Sequence, residues 1–96
     1  MDILICYDVN TEDREGRRRL RHVAKFCTAF GQRVQKSVFE CRVEAAQLEV
    51  LRFKLRKTID AKSDSIRIYT LRQPREDHVE CFGRDDYTDF DDPRVL

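Results

Sequence analysis

Gln32-Arg33-Val34-Gln35-Lys36-Ser37-Val38-Phe39-Glu40-Cys41-Arg42-Val43 is the stretch on which the fold turns. Its composition is that of extended chain, but its apolar alternation changes phase. Val34 and Val38 fall on one parity, whereas Phe39, Cys41 and Val43 fall on the other. A strand keeps one parity per face, so a slip of one residue exchanges its faces. The stretch therefore holds a bulge, a bend or two short strands.

Upstream, residues 2–9 read as a buried strand, a short β-rich apolar run that ends in the polar Asn10-Thr11-Glu12-Asp13. Residues 14–30 read as a helix with Leu20, Val23, Ala24, Cys27 and Phe30 as its apolar stripe. Asp13 suits its N-cap, and Gly31 suits a left-handed terminating position. Downstream, residues 44–59 read as a second helix on Leu48, Leu51, Leu55 and Ile59. Ala46, Val50 and Phe53 form a second stripe, which implies cover on more than one side. Residues 65–71 are a strand, and residues 79–82 a further short one. From Gly83 onward the chain is an acidic tail ending in Pro93, Val95 and Leu96. The order predicts an α+β, ferredoxin-like βαββαβ sandwich, two helices on one face of an antiparallel sheet, with a C-terminal strand and tail. The domain is expected over residues 1–82 and the tail over 83–96. The other sheet face needs a cover, and a second copy of the chain is the simplest one.

Composition narrows the function. The 96 residues carry a net charge of only +1. Through Arg75 there are 17 Lys and Arg against 10 Asp and Glu, a balance of +7; from Glu76 the balance is 2 against 8, or −6. A basic body implies a polyanion partner, and an acidic tail implies either a basic protein partner or a tail that folds back on the body. No run approaches the ~20 apolar residues of a membrane span. The apolar start follows Asp2 rather than a basic segment, so no signal peptide is expected and the cytoplasm is the expected location. Cys6, Cys27, Cys41 and Cys81 are scattered without zinc or disulfide spacing and read as small buried hydrophobes. No Gly-rich phosphate loop is present, nor partners for a Cys–His or Ser–His–Asp nucleophile.

Two features carry chemistry. Asp8, at the C-terminal end of the first strand, either hydrogen-bonds the following turn or presents a hard oxygen ligand of the kind magnesium takes beside its waters. A twofold axis near it would bring two carboxylates together, and such a pair repels itself unless a cation or proton intervenes. Arg14, Arg17, Arg18, Arg19, Arg21 and Lys25 crowd the first turns of the first helix, where cations oppose the helix dipole. An anionic partner accounts for that placement better than a solvated face does, and arginine forks suit phosphates. Arg33, Lys36 and Arg42 extend the charge. Tyr7, Phe39, Tyr69 and Phe82 read mostly as core, with Phe39 the one candidate for stacking on a base.

Ile5-Cys6-Tyr7-Asp8-Val9, Gly16-Arg17-Arg18-Arg19-Leu20, Val23-Ala24-Lys25 and the run from Gly31 to Cys41 together resemble the Cas2 family of small CRISPR adaptation proteins, type I-C members most of all. The resemblance covers residues 1–82. It implies a homodimer in which Asp8 of each chain meets at the interface and shares a magnesium ion. It implies metal-dependent endonuclease activity on single-stranded RNA or double-stranded DNA, and a place beside the CRISPR integrase subunit in spacer acquisition. Arg17, Arg18, Arg19, Arg33 and Phe39 are the implied functional neighbours of Asp8. The C-terminal extension would reach the partner chain's sheet or the integrase. The competing function is a non-catalytic architectural subunit that bridges the integrase and holds spacer DNA. A plain RNA-binding module or toxin-like ribonuclease is a third class, since the fold hosts both.

Overall fold

A computed structural model describes residues 1–91. The elements run β1 (Asp2–Asp8), α1 (Arg14–Phe30), β2 (Gly31–Gln35), β3 (Val38–Arg42), α2 (Ala45–Thr58) and β4 (Ser65–Leu71), followed by a single 3-10 turn, Arg75–Asp77. The sheet order is β2-β3-β1-β4, antiparallel throughout, which is the ferredoxin-like arrangement of two split βαβ units. The phase change resolves as two strands joined by a tight turn. The register shifts between Arg33 and Gln35, so Val34 is the bulged residue.

Alternation along the strands sorts the side chains. Ile3, Ile5 and Tyr7 of β1 and Phe39 and Cys41 of β3 point to the helices. There they meet Val23 and Cys27 of α1 and Leu48, Leu51 and Leu55 of α2. Asp13 caps α1 as expected, accepting from the Gly16 amide at 2.7 Å. Glu44 and Gln47 form a reciprocal capping box at the start of α2.

Four expectations need correction. Gly31 does not terminate α1 in a left-handed conformation: its φ of −168° is extended, and it opens β2 directly. Its lack of a side chain matters for a different reason, because a Cβ there would meet the carbonyl of Glu40 and lie 2.6 Å from the Cα of Cys41. The second stripe of α2 is uncovered, with Phe53 63% exposed and Val50 and Ala46 open to solvent. Cys81 is exposed, unlike the buried Cys27 and Cys41. Residues 79–82 form no strand, and Phe82 is 90% exposed. This segment runs over the sheet's open face rather than along an edge, so no backbone ladder is available to it. Pro93, Val95 and Leu96 lie outside the described residues.

The tail segment is fastened to that open face. Arg75 donates to both carboxylate oxygens of Glu40, at 2.7 and 3.0 Å, and both side chains are largely buried. The Tyr87 ring stacks on the Arg75 guanidinium at 3.4 Å, Gln32 exchanges two hydrogen bonds with the Thr88 backbone, and Arg42 pairs with Asp91. Between strap and sheet lies a hollow of about 250 Å³ whose lining includes Leu4, Val38, Val79 and Arg84.

Replacing Gly31 with Ala forces the added methyl into the backbone of β3. Such overpacking costs about 1–3 kcal/mol. Urea unfolding should show that loss as a lowered midpoint with an unchanged slope.

Candidate functional site

The site is built around the end of β1. β1 lies between β3 and β4, but its pairing with β3 stops at Cys6 opposite Val38, whereas its pairing with β4 continues to Asp8 opposite Ser65. Asp8 thus projects past the β3 ladder, held by one neighbour and exposed. By alternation it shares the open sheet face with Leu4 and Cys6. The Lys36-Ser37 turn of the β2–β3 hairpin lies at the same end, with the Ser37 carbonyl accepting from the Tyr7 amide at 3.1 Å.

A strand-end aspartate commonly hydrogen-bonds the turn that follows it. Here other residues meet those needs. The Asn10 amide donates to Asp64 Oδ1 at 3.0 Å, the Glu12 amide to the Asn10 side chain at 2.9 Å, and the Gly16 amide to Asp13. Among the described residues the Asp8 carboxylate has no hydrogen-bond donor assigned to it, so it stays free for a ligand.

The cationic candidates divide. Arg17 and Arg18 are exposed on the first turns of α1, just beyond the loop that Asp8 opens, and Lys36 is exposed in the hairpin turn. Arg18 lines a hollow of about 360 Å³ with His22, Lys57 and Thr58. Arg19 also borders it, but its Nε donates to Asp64 Oδ2 at 2.8 Å, so it acts first as an intramolecular clamp. Arg33 and Phe39 lie on the other face from Asp8. They pair across β2–β3 on the helix side, with the guanidinium 5.1 Å from the ring centre.

Phe39 is 1% exposed and stacks on Tyr7 with ring centres 6.1 Å apart. In this chain it is a core residue and offers no face to a base. Tyr69, at 42% exposure, is the aromatic that the open face presents, with Arg67 against its ring.

The residue that sequence reasoning missed is Asp64. Its side chain is fully buried (0% exposed) and accepts from Arg19, from the Asn10 amide and from the Asp60 amide at 2.9 Å. Burial alone would raise its pKa, but the Arg19 hydrogen bond and the two amides outweigh this and hold it below the ordinary carboxylate value. The thiols of Cys27 and Cys41 are pushed up to about 12, chiefly by burial, and are poor nucleophiles. Among the described residues no three His, Cys, Asp or Glu side chains converge on one point, and no helix is long and apolar enough to cross a membrane.

Because the folded pKa of Asp64 is depressed, its contribution to stability is complete above the unfolded carboxylate value near ~3.9. It is lost as pH falls through the lower folded value. Asp64→Asn should therefore be less stable than the wild type at pH 7, and the gap in urea midpoint should narrow steadily below about pH 4. A gap independent of pH would remove the ionised carboxylate from the account.

Comparison with known proteins gives a consistent result. Residues 1–79 match the family model described as CRISPR associated protein Cas2. A protein of Moorella thermoacetica named CRISPR-associated endoribonuclease Cas2 1 is 55% identical over the full length of both chains. One of Halalkalibacterium halodurans named CRISPR-associated endonuclease Cas2 is 46% identical, again over both full lengths. The crystal structure of Streptococcus pyogenes Cas2 at pH 6.5 superposes with a TM-score of 0.78 at 52% identity, covering 86% of this chain and all of that one.

Proposed function

The chain belongs to the CRISPR-associated Cas2 family, and from that premise we propose that it is a magnesium-dependent endonuclease, acting on RNA or duplex DNA as a homodimer. The observation that carries the reading is the free Asp8 carboxylate: exposed, fixed by backbone pairing with β4, and relieved of the turn it precedes. Relatives similar over their whole length bear the names endoribonuclease and endonuclease.

Asp8 fits magnesium as one half of a site. Magnesium takes one or two carboxylates and keeps several waters, and an exposed strand end leaves room for them. Among the described residues Asp8 is the carboxylate that ends β1, so a second copy across the open sheet face would supply the other. The strip not covered by the tail segment, with Cys6, Arg67 and Tyr69, is where that copy would sit. When bound, the metal supplies a lowered water pKa and stabilises charge on the phosphoryl oxygens. The protein's own part is to hold Asp8 rigidly and to draw in the phosphate backbone through Arg17, Arg18 and Lys36 at the same end of the molecule. The cytoplasm, where CRISPR nucleic acids are handled, is the location that follows from this role. The acidic tail, with Asp85, Asp86 and Asp89 exposed, is suited to a basic surface such as that of an integrase subunit.

One observation favours the architectural reading: Asp64, which adjoins the strand partner of Asp8, is engaged by Arg19 and two backbone amides and so does not serve as a second free acid–base group. A single experiment separates the two. Purified protein is incubated with duplex DNA and with single-stranded RNA, in magnesium or chelator, beside Asp8→Asn. Magnesium-dependent cleavage by the wild type, falling to the chelator background in Asp8→Asn, is the expected result. Equal cleavage by both proteins would sink the assignment of Asp8, and firm binding without cleavage would favour the clamp.

Binding itself is expected to be electrostatic. Arg17→Ala or Lys36→Ala should each lower the slope of log affinity against log salt by about 0.9 on duplex DNA, one phosphate contact apiece. An unchanged slope would remove that residue from the interface.

A further inference from the structure

Asp8 is followed by a loop that must be fixed if the carboxylate is to be fixed, and the loop's fastening comes from a distant part of the chain. Asp64 immediately precedes β4, and its neighbour Ser65 is the strand partner of Asp8. From there its carboxylate reaches across to the Asn10 amide, two residues beyond Asp8, at 3.0 Å. Its other oxygen takes Arg19 Nε of α1 at 2.8 Å and the Asp60 amide at 2.9 Å. One buried carboxylate therefore joins the loop after β1, the first turns of α1, the beginning of the α2–β4 connection and the start of β4. The Asn10 carbonyl is held as well, since it packs so closely on Gly16 that a Cβ there would overlap it.

We propose that Asp64, clamped by Arg19, is a positioning residue for Asp8: it holds the β1–α1 loop so that the Asp8 carboxylate keeps one orientation at the strand end. The inference rests on the reading of Asp8 as the ligand-bearing group. It assigns Arg19 a role through Asp64 rather than through phosphate. Asp64 itself touches no substrate, since its side chain is wholly buried. Its effect is geometric, and a displacement of about 1 Å at a reacting group can cost about 100-fold in rate. The loop's other fastenings are the Asn10 and Asp13 side-chain caps, the close approach of the Asn10 carbonyl to Gly16 and the long hydrogen bond from Arg17 Nη1 to the Thr11 carbonyl at 3.5 Å. All of them tie the loop to itself or to α1, and none registers it against β4.

The test compares wild type, Asp64→Ala, Arg19→Ala and the double variant by amide hydrogen exchange and by cleavage kinetics. Removal of the acceptor should strip the Asn10 amide of protection while the Ile5 amide in the β1 ladder keeps its own. On the cleaved substrate, kcat should fall about 10–100-fold with KM and salt-dependent duplex affinity within twofold. The double variant should be no worse than Asp64→Ala, because the two residues act as one unit. Protection lost equally at Asn10 and Ile5 would reduce Asp64 to general stability. Unchanged kcat in a folded Asp64→Ala, additive losses, or a loss carried by KM would each overturn the proposal. Should Asp64→Ala fail to fold, Asp64→Asn keeps the shape and one acceptor, and the same readouts apply. A wild type that binds without cleaving would remove the catalytic reading of Asp8. The exchange pattern would then still decide whether Asp64 fixes the loop, with Asn10 protection retained in the variants counting against it.

Discussion

Everything in this molecule is arranged around a central strand whose two backbone edges are both consumed. β1 pairs with β3 on one side and β4 on the other, and it can do so only because two helical crossovers carry the chain over the same sheet face. Those crossovers bury Ile3, Ile5 and Tyr7, which leaves the intervening Leu4, Cys6 and Asp8 for the opposite face. The unequal length of the two ladders then produces the end that carries Asp8. β3 turns away after Val38 while β4 continues, and Asp8 emerges in the step between them. Asp8 needs no local distortion to be exposed and rigid together.

The open face explains the split charge. Its buried polar groups, Asp2 and Glu40, are anions within a basic body, and each has a cation or amide set against it: Arg42 and Gln73 for Asp2, Arg75 for Glu40. Arg75 is the last residue of the basic portion, and its pairing with Glu40 turns the acidic tail back across β3 and β2. A buried ion pair adds little net stability against an apolar alternative, but losing one partner strands the other charge. The pair therefore defines where the tail lies more than it strengthens the fold. The open face thus presents tail over one half and the β1–β4 strip over the other.

Elements with strong periodicity were legible in the sequence. Both helices fall within a residue or two of their expected bounds, and the parity slip at Val34 to Phe39 announced the bulge and the second strand. The sandwich itself was also legible, but several side-chain placements were not. Phe39 and Asp8 look like neighbours in a motif, but their strand parities put them on opposite faces, and Phe39 is sealed against Tyr7. Residues 79–82 have the composition of a strand but meet a sheet face instead of an edge. Gly31 looked like a helix terminator, whereas its role is the close approach of β2 to β3. Asp64 gave no signal because the partners that give it its place in the fold, Arg19 and Asn10, lie 45 and 54 residues away in the chain.

A lone aspartate at the end of a strand is ambiguous, and the surrounding side chains remove the ambiguity by dividing the labour. Asn10 turns the loop through Glu12, Asp13 starts the helix, and Asp64 registers the loop against β4. With these three side chains holding the loop, no fastening of it falls to the Asp8 carboxylate among the described residues. Two such carboxylates brought together repel unless a cation or a proton lies between them. An exposed carboxylate of this kind is hydrated at no structural cost in the single chain, so its placement at the strand end follows from the unequal ladders of β1 rather than from any demand of the core.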